Sequence, residues 1–367
     1  MRSHSVRATT FHGVGDIRVE DVPDSQILAP TDAIVRVTKA GICGSDLHFL
    51  HYGDALGMTP GLRLGHEFVG VVEEVGSEVT GLVVGDRVVA PFAFSDNTCA
   101  CCALDVQSSC AQGGIFGSPF WGEHAGGQVE GGQAEALRVP QASGTLVKIP
   151  NSLASAENDS KVLPLGDVLS TGYHAAVNAG VGPGSTAVVI GDGAVGLSGV
   201  ISATLLGAER IIHVGHHADR LEIGRTAGAT DSINGKEQDV VATVLEMTGG
   251  LGADGAVETI SSNDTIEQAI NVTRPGGHVG IVGMSHFFEE ASGQPYAVAF
   301  MKNVALHPGV CPSRHYIPGL LKDLEAGKMD PSVVFTHDLA LDDAPEGYRI
   351  MDQRVDGSIK VALTPGS

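Results

Sequence analysis

Apolar positions over roughly the first 150 residues fall into short, closely spaced runs. Residues 6–20 alternate and predict a hairpin that turns near Gly13-Val14-Gly15-Asp16. Ala33–Val37 reads as a strand running into Ala40-Gly41-Ile42-Cys43-Gly44-Ser45-Asp46-Leu47-His48, a loop that enters a helix. Val69–Val75 and the segment after Gly85-Asp86 are further strands. Short strands at this spacing predict an antiparallel, barrel-like first domain. A polar, glycine-rich excursion over about residues 92–125 interrupts it, and a loop of that length needs a reason to be ordered. Gly131–Pro140 returns to strand and Leu146–Pro150 closes the section.

Beyond this point the pattern changes. Lys161–Ala179 is helical throughout. Val188-Val189-Ile190 is an apolar strand, and Ala194–Leu206 a helix. Strand and helix then alternate: Arg210–Val214, His217–Ala227, Val240–Met247, Ala253–Thr259, Thr265–Val272 and Gly277–Val282. Such alternation means a parallel α/β sheet. The tail holds a short strand at Val304–Leu306, helices over Arg314–Ala326 and Ala344–Met351, and a last strand at Gly357–Leu363. Periodicity does not say which domain that last strand joins.

Between the first parallel strand and its helix stands Gly191-Asp192-Gly193-Ala194-Val195-Gly196. In that context the first glycine permits the turn, the second lets backbone approach a pyrophosphate, and the third allows close helix–strand packing. The N–H groups at the start of the helix are free to bind phosphate. An acid about 20 positions on would bind the ribose hydroxyls of NAD. The next strand instead ends in Gly215-His216-His217. Gly215 leaves room there, and His216, His217 and Arg220 suit a 2′-phosphate, which favours NADP. Asp219 reads as a first-turn residue of the helix.

The chain has 367 residues, enough for two domains. With 22 Lys and Arg against 43 Asp and Glu, the formal charge is −21, which argues against nucleic acid and anionic membrane as partners. Neither an apolar leader nor a membrane-length apolar stretch is legible, so the cytoplasm is the expected compartment. Four of the six cysteines fall between Cys99 and Cys110, a crowding that reads as metal binding and not as a disulfide framework. Cys99, Cys102 and Cys110 have closed-site zinc spacing, with Asp96 or Cys101 as the fourth ligand. Cys43 and His66, 23 residues apart, are candidates for an open zinc site with Asp167 or Glu67 as a third ligand. Phe92, Phe94, Phe116, Trp121 and Tyr52 are candidates to line a pocket for a neutral substrate.

Cys43-Gly44-Ser45-Asp46, followed by Gly65-His66-Glu67 and Gly70 and then by the glycine turn, resembles the zinc-dependent alcohol dehydrogenases of the medium-chain dehydrogenase/reductase superfamily. The likeness covers nearly the whole chain. It implies a GroES-like β-barrel catalytic domain from residues 1–155 and 305–367, with an inserted Rossmann doubly wound domain at 156–304. It implies Cys43, His66 and Asp167 as ligands of a catalytic zinc, and Glu67 as a residue that enters the metal shell during exchange. Ser45 would contact the substrate oxygen, His48 would end the proton relay, and Lys360 would face the cofactor phosphates. Asp96, Cys99, Cys102 and Cys110 would hold a structural zinc, with Asp96 replacing the usual first cysteine. The implied activity is hydride transfer between an alcohol and NADP or NAD in a homo-dimer or homo-tetramer. Zinc-free quinone or enoyl reductases and non-catalytic nucleotide binders share the architecture, but they do not need this ligand set.

Overall fold

The computed structural model describes residues 5–119, 129–284 and 294–366. They divide into two compact units. One holds the chain up to Asp167 together with Pro312–Gly327 and Phe335 onward, and the other holds Val168–Cys311 with Lys328–Val334.

In the first unit, strands Ser5–Gly13 and Asp16–Pro23 form the antiparallel hairpin. Gly13 and Gly15 carry positive φ at its turn, which glycine adopts without strain. A seven-stranded sheet is built around Ala33–Ile42. This strand pairs antiparallel with Glu67–Val75, Ala136–Val139 and Val361–Thr364. Arg87–Val89 and Val147–Lys148 extend the sheet on one side, and His337–Ala340 closes the other, parallel to Val361–Thr364. The last strand therefore belongs to the first unit, with Val361 opposite Ile42. That register sets Lys360 beside the Cys43 loop.

Phe11, Val35, Ile42, Phe68, Leu137 and Leu363 belong to one buried core. Phe68 meets Phe116 edge to face, with centroids 5.1 Å apart. Truncating such a ring to alanine costs about 3–5 kcal/mol.

The second unit carries a six-stranded parallel sheet. Its order is Asp231–Asn234, Arg210–Gly215, Thr186–Ile190, Ala253–Glu258, Thr273–Ile281, Ala305–Pro308. In chain order this is 3-2-1-4-5-6, the doubly wound arrangement. Helix Ala194–Leu206 is buried from Gly196 through Ala203. Its Ser198 and Ser202 hydroxyls donate to the Ala194 and Ser198 carbonyls, so the helix buries no unpaired hydroxyl there. It crosses Val168–Asn178 at Gly172, where a Cβ would stand 2.6 Å from the Gly199 nitrogen.

The segment read as one helix over Lys161–Ala179 is three elements. Helix Asp159–Val162 and the 3-10 turn Leu163–Gly166 end at Asp167, and helix Val168–Asn178 follows. Asp167 has φ −144° and ψ −84°, outside any helix, with Pro164 and Gly166 just before it. The break turns Asp167 away from a helical course. Strands Asp231–Asn234 and His337–Ala340 and helix Gln294–Lys302 carry no clear apolar period and were not predicted.

Candidate active site

Cys43 follows the central strand of the first unit, and Asp46 opens the helix Asp46–Tyr52. His66 and Glu67 lie at the start of Glu67–Val75, after Gly65 at φ +94°. With Asp167 at its break, four residues from three distant parts of the chain converge. Ligand atoms of Cys43, His66, Glu67 and Asp167 all lie within 4.8 Å of one another, and all four residues are buried. Cys43 Sγ stands 3.5 Å from Asp167 Oδ2, and His66 Nε2 stands 3.2 Å from the same oxygen. Tetrahedral zinc with bonds of about 2.3 Å to sulfur and about 2.0–2.2 Å to nitrogen and oxygen needs separations from about 3.3 Å between two nitrogen or oxygen ligands to about 3.8 Å between two sulfurs. The cluster fits the ion.

The electrostatics suit a cation. Burial works against charge on His66, yet Asp46 and Asp167 raise its pKa well above the ordinary value. Burial and Asp167 raise the Cys43 thiol. Burial would raise Asp167, but the hydrogen bond and charge of His66 leave it below the usual carboxylate range. A bound cation would take the place of the protons that this concentration of acids otherwise needs. Burial pushes Glu67 up to about 7, against the pull of Lys360. The Lys360 amine donates to Glu67 Oε1 at 2.7 Å and to the Ile42 carbonyl at 3.2 Å, and the side chain is 1% exposed. It is turned inward onto Glu67. Gly41 is glycine for the same reason, since a Cβ there would lie 2.1 Å from Glu67 Oε2. Ser45 Oγ lies 3.4 Å from His66 Nε2, and His48 follows on the helix, partly buried.

The second cluster is local. Asp96, Cys99, Cys102 and Cys110 also bring their ligand atoms within 4.8 Å. Sulfur separations of 3.6 and 3.8 Å, and Asp96 Oδ1 at 3.4 and 3.3 Å from Cys102 and Cys110, again match tetrahedral zinc. Burial would raise Asp96, but the Thr98 and Cys99 N–H groups hold it at about 2. The Cys102 and Ala111 N–H groups lower Cys99 to about 7. Asp96, not Cys101, completes the four.

In the second unit the turn has the expected form. Gly191 has φ +124°, and a Cβ there would strike Thr259 Oγ1 at 2.1 Å. A Cβ on Gly196 would lie 2.0 Å from the Gly191 carbonyl oxygen, so the third glycine seats the helix on the turn. Nothing lies within 4 Å of where a Gly193 Cβ would be, and no side chain caps the helix that begins at Ala194 and Val195. Its first N–H groups are therefore available to an anion.

Asp192, inside the glycine turn, gathers the groups at the end of the next strand. Its Oδ2 accepts from the His216 and His217 backbone N–H groups at 2.7 and 3.0 Å and pairs with His217 Nδ1 at 2.9 Å. Its Oδ1 faces Arg220 at 3.5 Å. The carboxylate fills the space over Gly215, where a Cβ would lie 2.6 Å from Asp192 Cβ. The strand end lacks an acid of its own, but the turn supplies one.

The aromatic set does not act together. Phe94 and Phe116 are core residues packed on one another, because strands Ala93–Phe94 and Gly114–Ile115 pair over the first unit's core. Tyr52 is 57% exposed. Phe92 sets its ring edge to face with His66 at 6.4 Å. Trp121 lies outside the described residues.

The model of the alcohol dehydrogenase GroES-like domain matches residues 29–151, and that of the zinc-binding dehydrogenases matches residues 194–326. The chain belongs to the zinc-dependent alcohol dehydrogenases of the medium-chain dehydrogenase/reductase superfamily. It is 35% identical to the zinc-type alcohol dehydrogenase-like protein AdhB of Bacillus subtilis, over 98% of this chain and 100% of that one. It is 33% identical to an alcohol dehydrogenase of Cupriavidus necator, over 98% and 99%. Among solved structures, alcohol dehydrogenase TADH from Thermus sp. ATN1 superposes with a TM-score of 0.88 at 34% identity, covering 98% of this chain and 99% of that one. Among the described residues, no helix is long and apolar enough to cross a membrane.

Proposed function

We propose that this chain interconverts a small neutral primary or secondary alcohol and its aldehyde or ketone, with NADP as the preferred hydride carrier. The observation that carries this reading is the convergence of Cys43, His66 and Asp167 at zinc-ligand separations. When bound there, zinc supplies Lewis acidity that lowers the pKa of a substrate hydroxyl or polarises a carbonyl. The nicotinamide supplies the hydride acceptor or donor.

The chain's own residues do the rest. Cys43, His66 and Asp167 hold the ion. Ser45 Oγ, beside His66 Nε2, accepts the proton lost by the alcohol and passes it toward His48 and solvent. Gly193, Ala194 and Val195 present free N–H groups to the cofactor pyrophosphate. Glu67, braced by Lys360, stands ready as an exchange ligand. Asp96, Cys99, Cys102 and Cys110 hold a structural zinc. His216, His217 and Arg220 take the 2′-phosphate, which competes with Asp192 for them.

Zinc-dependent cofactor reduction with a panel of alcohols tests the reaction. Turnover by His66→Ala equal to wild type would overturn it. For the carrier, Arg220→Ala is expected to lower kcat/KM for NADP about tenfold and to leave NAD within about twofold, the scale of one charge-assisted hydrogen bond. An equal loss with both carriers contradicts the NADP assignment. The resemblance also carries a homo-dimer or homo-tetramer, which sedimentation at several concentrations tests.

A further inference from the structure

Behind the first metal cluster runs a buried polar chain that the reaction does not touch. The Tyr348 hydroxyl, on helix Ala344–Gln353, donates to Gln133 Oε1 at 3.0 Å. Gln133 Nε2 donates to Asp46 Oδ2 and to the Gly41 carbonyl, both at 3.1 Å. Asp46 Oδ2 also accepts from the Cys43 backbone N–H at 2.9 Å, and Asp46 Oδ1 faces His66 Nδ1 at 3.3 Å. Tyr348 is 1% exposed, and Gln133 and Asp46 are fully buried.

The direction of the chain is fixed by chemistry. A reversed Gln133 amide would set its oxygen against two acceptors, the Gly41 carbonyl and the Asp46 carboxylate. Only the amide nitrogen fits there, so the oxygen must receive the Tyr348 proton. Asp46 Oδ2 then meets donors from Cys43 and Gln133, which turns Oδ1, buried and without a hydrogen-bond partner of its own, toward His66 Nδ1 as its ion-pair partner. A carboxylate at Nδ1 holds the proton there and leaves Nε2 bare toward Asp167 and the ion. The seat of Gln133 is itself built in. A Cβ on Gly65 would lie 2.4 Å from Gln133 Cγ, so the residue before His66 is glycine where the amide packs.

We propose that Gln133 and Tyr348 are positioning residues for the catalytic metal. They fix Asp46, and through it the tautomer and ring orientation of His66, and so govern how tightly the ion is held. This rests on the reading that Cys43, His66 and Asp167 hold zinc.

The test is zinc release from the full-length protein to a chromophoric chelator, with the Asp96 lobe as an internal reference. Cys43→Ala identifies which kinetic phase belongs to the first cluster. Gln133→Met keeps the volume and removes the amide, and Tyr348→Phe removes one hydroxyl. Gln133→Met is expected to speed release from the first cluster about 10–100-fold, the range for lost outer-shell partners, and Tyr348→Phe to do so by less. The lobe phase is expected to stay within about twofold of wild type in both. Unchanged release in both variants would overturn the proposal. So would acceleration of both phases together with a lowered unfolding temperature, the mark of general loosening. A wild-type protein with no Cys43-dependent phase would overturn the metal reading itself and this inference with it.

Discussion

The two metal clusters are built from similar donors in opposite ways. The lobe takes Asp96, Cys99, Cys102 and Cys110 from fifteen consecutive residues, and its oxygen and sulfur atoms meet through local turns. The other cluster gathers Cys43, His66, Glu67 and Asp167 from separate elements and buries all four. A local cluster can form wherever its own loop folds. A dispersed one exists only after the central strand, its neighbour and the break at Asp167 are in place. In exchange it brings together an imidazole, a single cysteine sulfur and, 3.4 Å from that imidazole, the Ser45 hydroxyl, where the lobe offers three cysteine sulfurs and an anchored carboxylate. The difference separates holding a loop from doing chemistry.

The largest expected effect falls on the dispersed cluster. His66→Ala should lower kcat/KM by about 10³-fold or more, since the lost charge stabilisation is worth several kcal/mol. The lobe should keep its zinc, and metal content by mass spectrometry of the native protein reads both facts together. Cys102→Ser should have the reverse profile. The lobe loses its ion and the unfolding temperature of its unit falls by roughly 5 °C or more, at about 2–4 °C per kcal/mol for a folding unit of about 150–250 residues. The folded fraction should retain most of its turnover below that temperature.

Acid should weaken metal binding at both clusters. Metal binding competes with protons at each ligand, so affinity falls as pH falls, with a slope equal to the protons displaced. At the lobe, Cys102 and Cys110 are raised and stay protonated without metal across neutral pH, while Cys99 joins them only below about 7. The slope should therefore steepen from two toward three as pH drops through 7. At the dispersed cluster, Cys43 and His66 are both raised and each gives up a proton to the ion, and Glu67, pushed up to about 7, gives up a third below that pH. Zinc affinity measured by chelator competition from pH 6 to 8 reads both slopes, and a slope that stays flat at either cluster contradicts its proton count. The smallest effect is expected from Asp96→Cys, which should slow zinc release from the lobe severalfold with turnover unchanged.

Legibility in the sequence follows the same division. The lobe was readable because its spacing is itself the geometry. The glycine turn was readable because strand, turn and helix are consecutive in the chain. The 23-residue gap between Cys43 and His66 carries no periodic signal, and the resemblance to a family, not spacing, singled out Asp167. The helical pattern of Lys161–Ala179 runs across the break that delivers Asp167, and only Pro164 and Gly166 mark it. Asp192 stood inside the quoted turn, but its partners depend on how Gly215 and the following loop fold over it. Gln133 and Tyr348 are 215 residues apart and meet only through tertiary packing. Nothing local announces either. The polar strands Asp231–Asn234 and His337–Ala340 were missed because edge strands carry little apolar alternation.

The most direct test of the account is the zinc content per chain of protein purified without added metal, measured beside Cys43→Ala. About two zinc ions are expected in the wild type and about one in the variant, with turnover lost in step with the second ion. One or no zinc in the wild type, or two in Cys43→Ala, would contradict it.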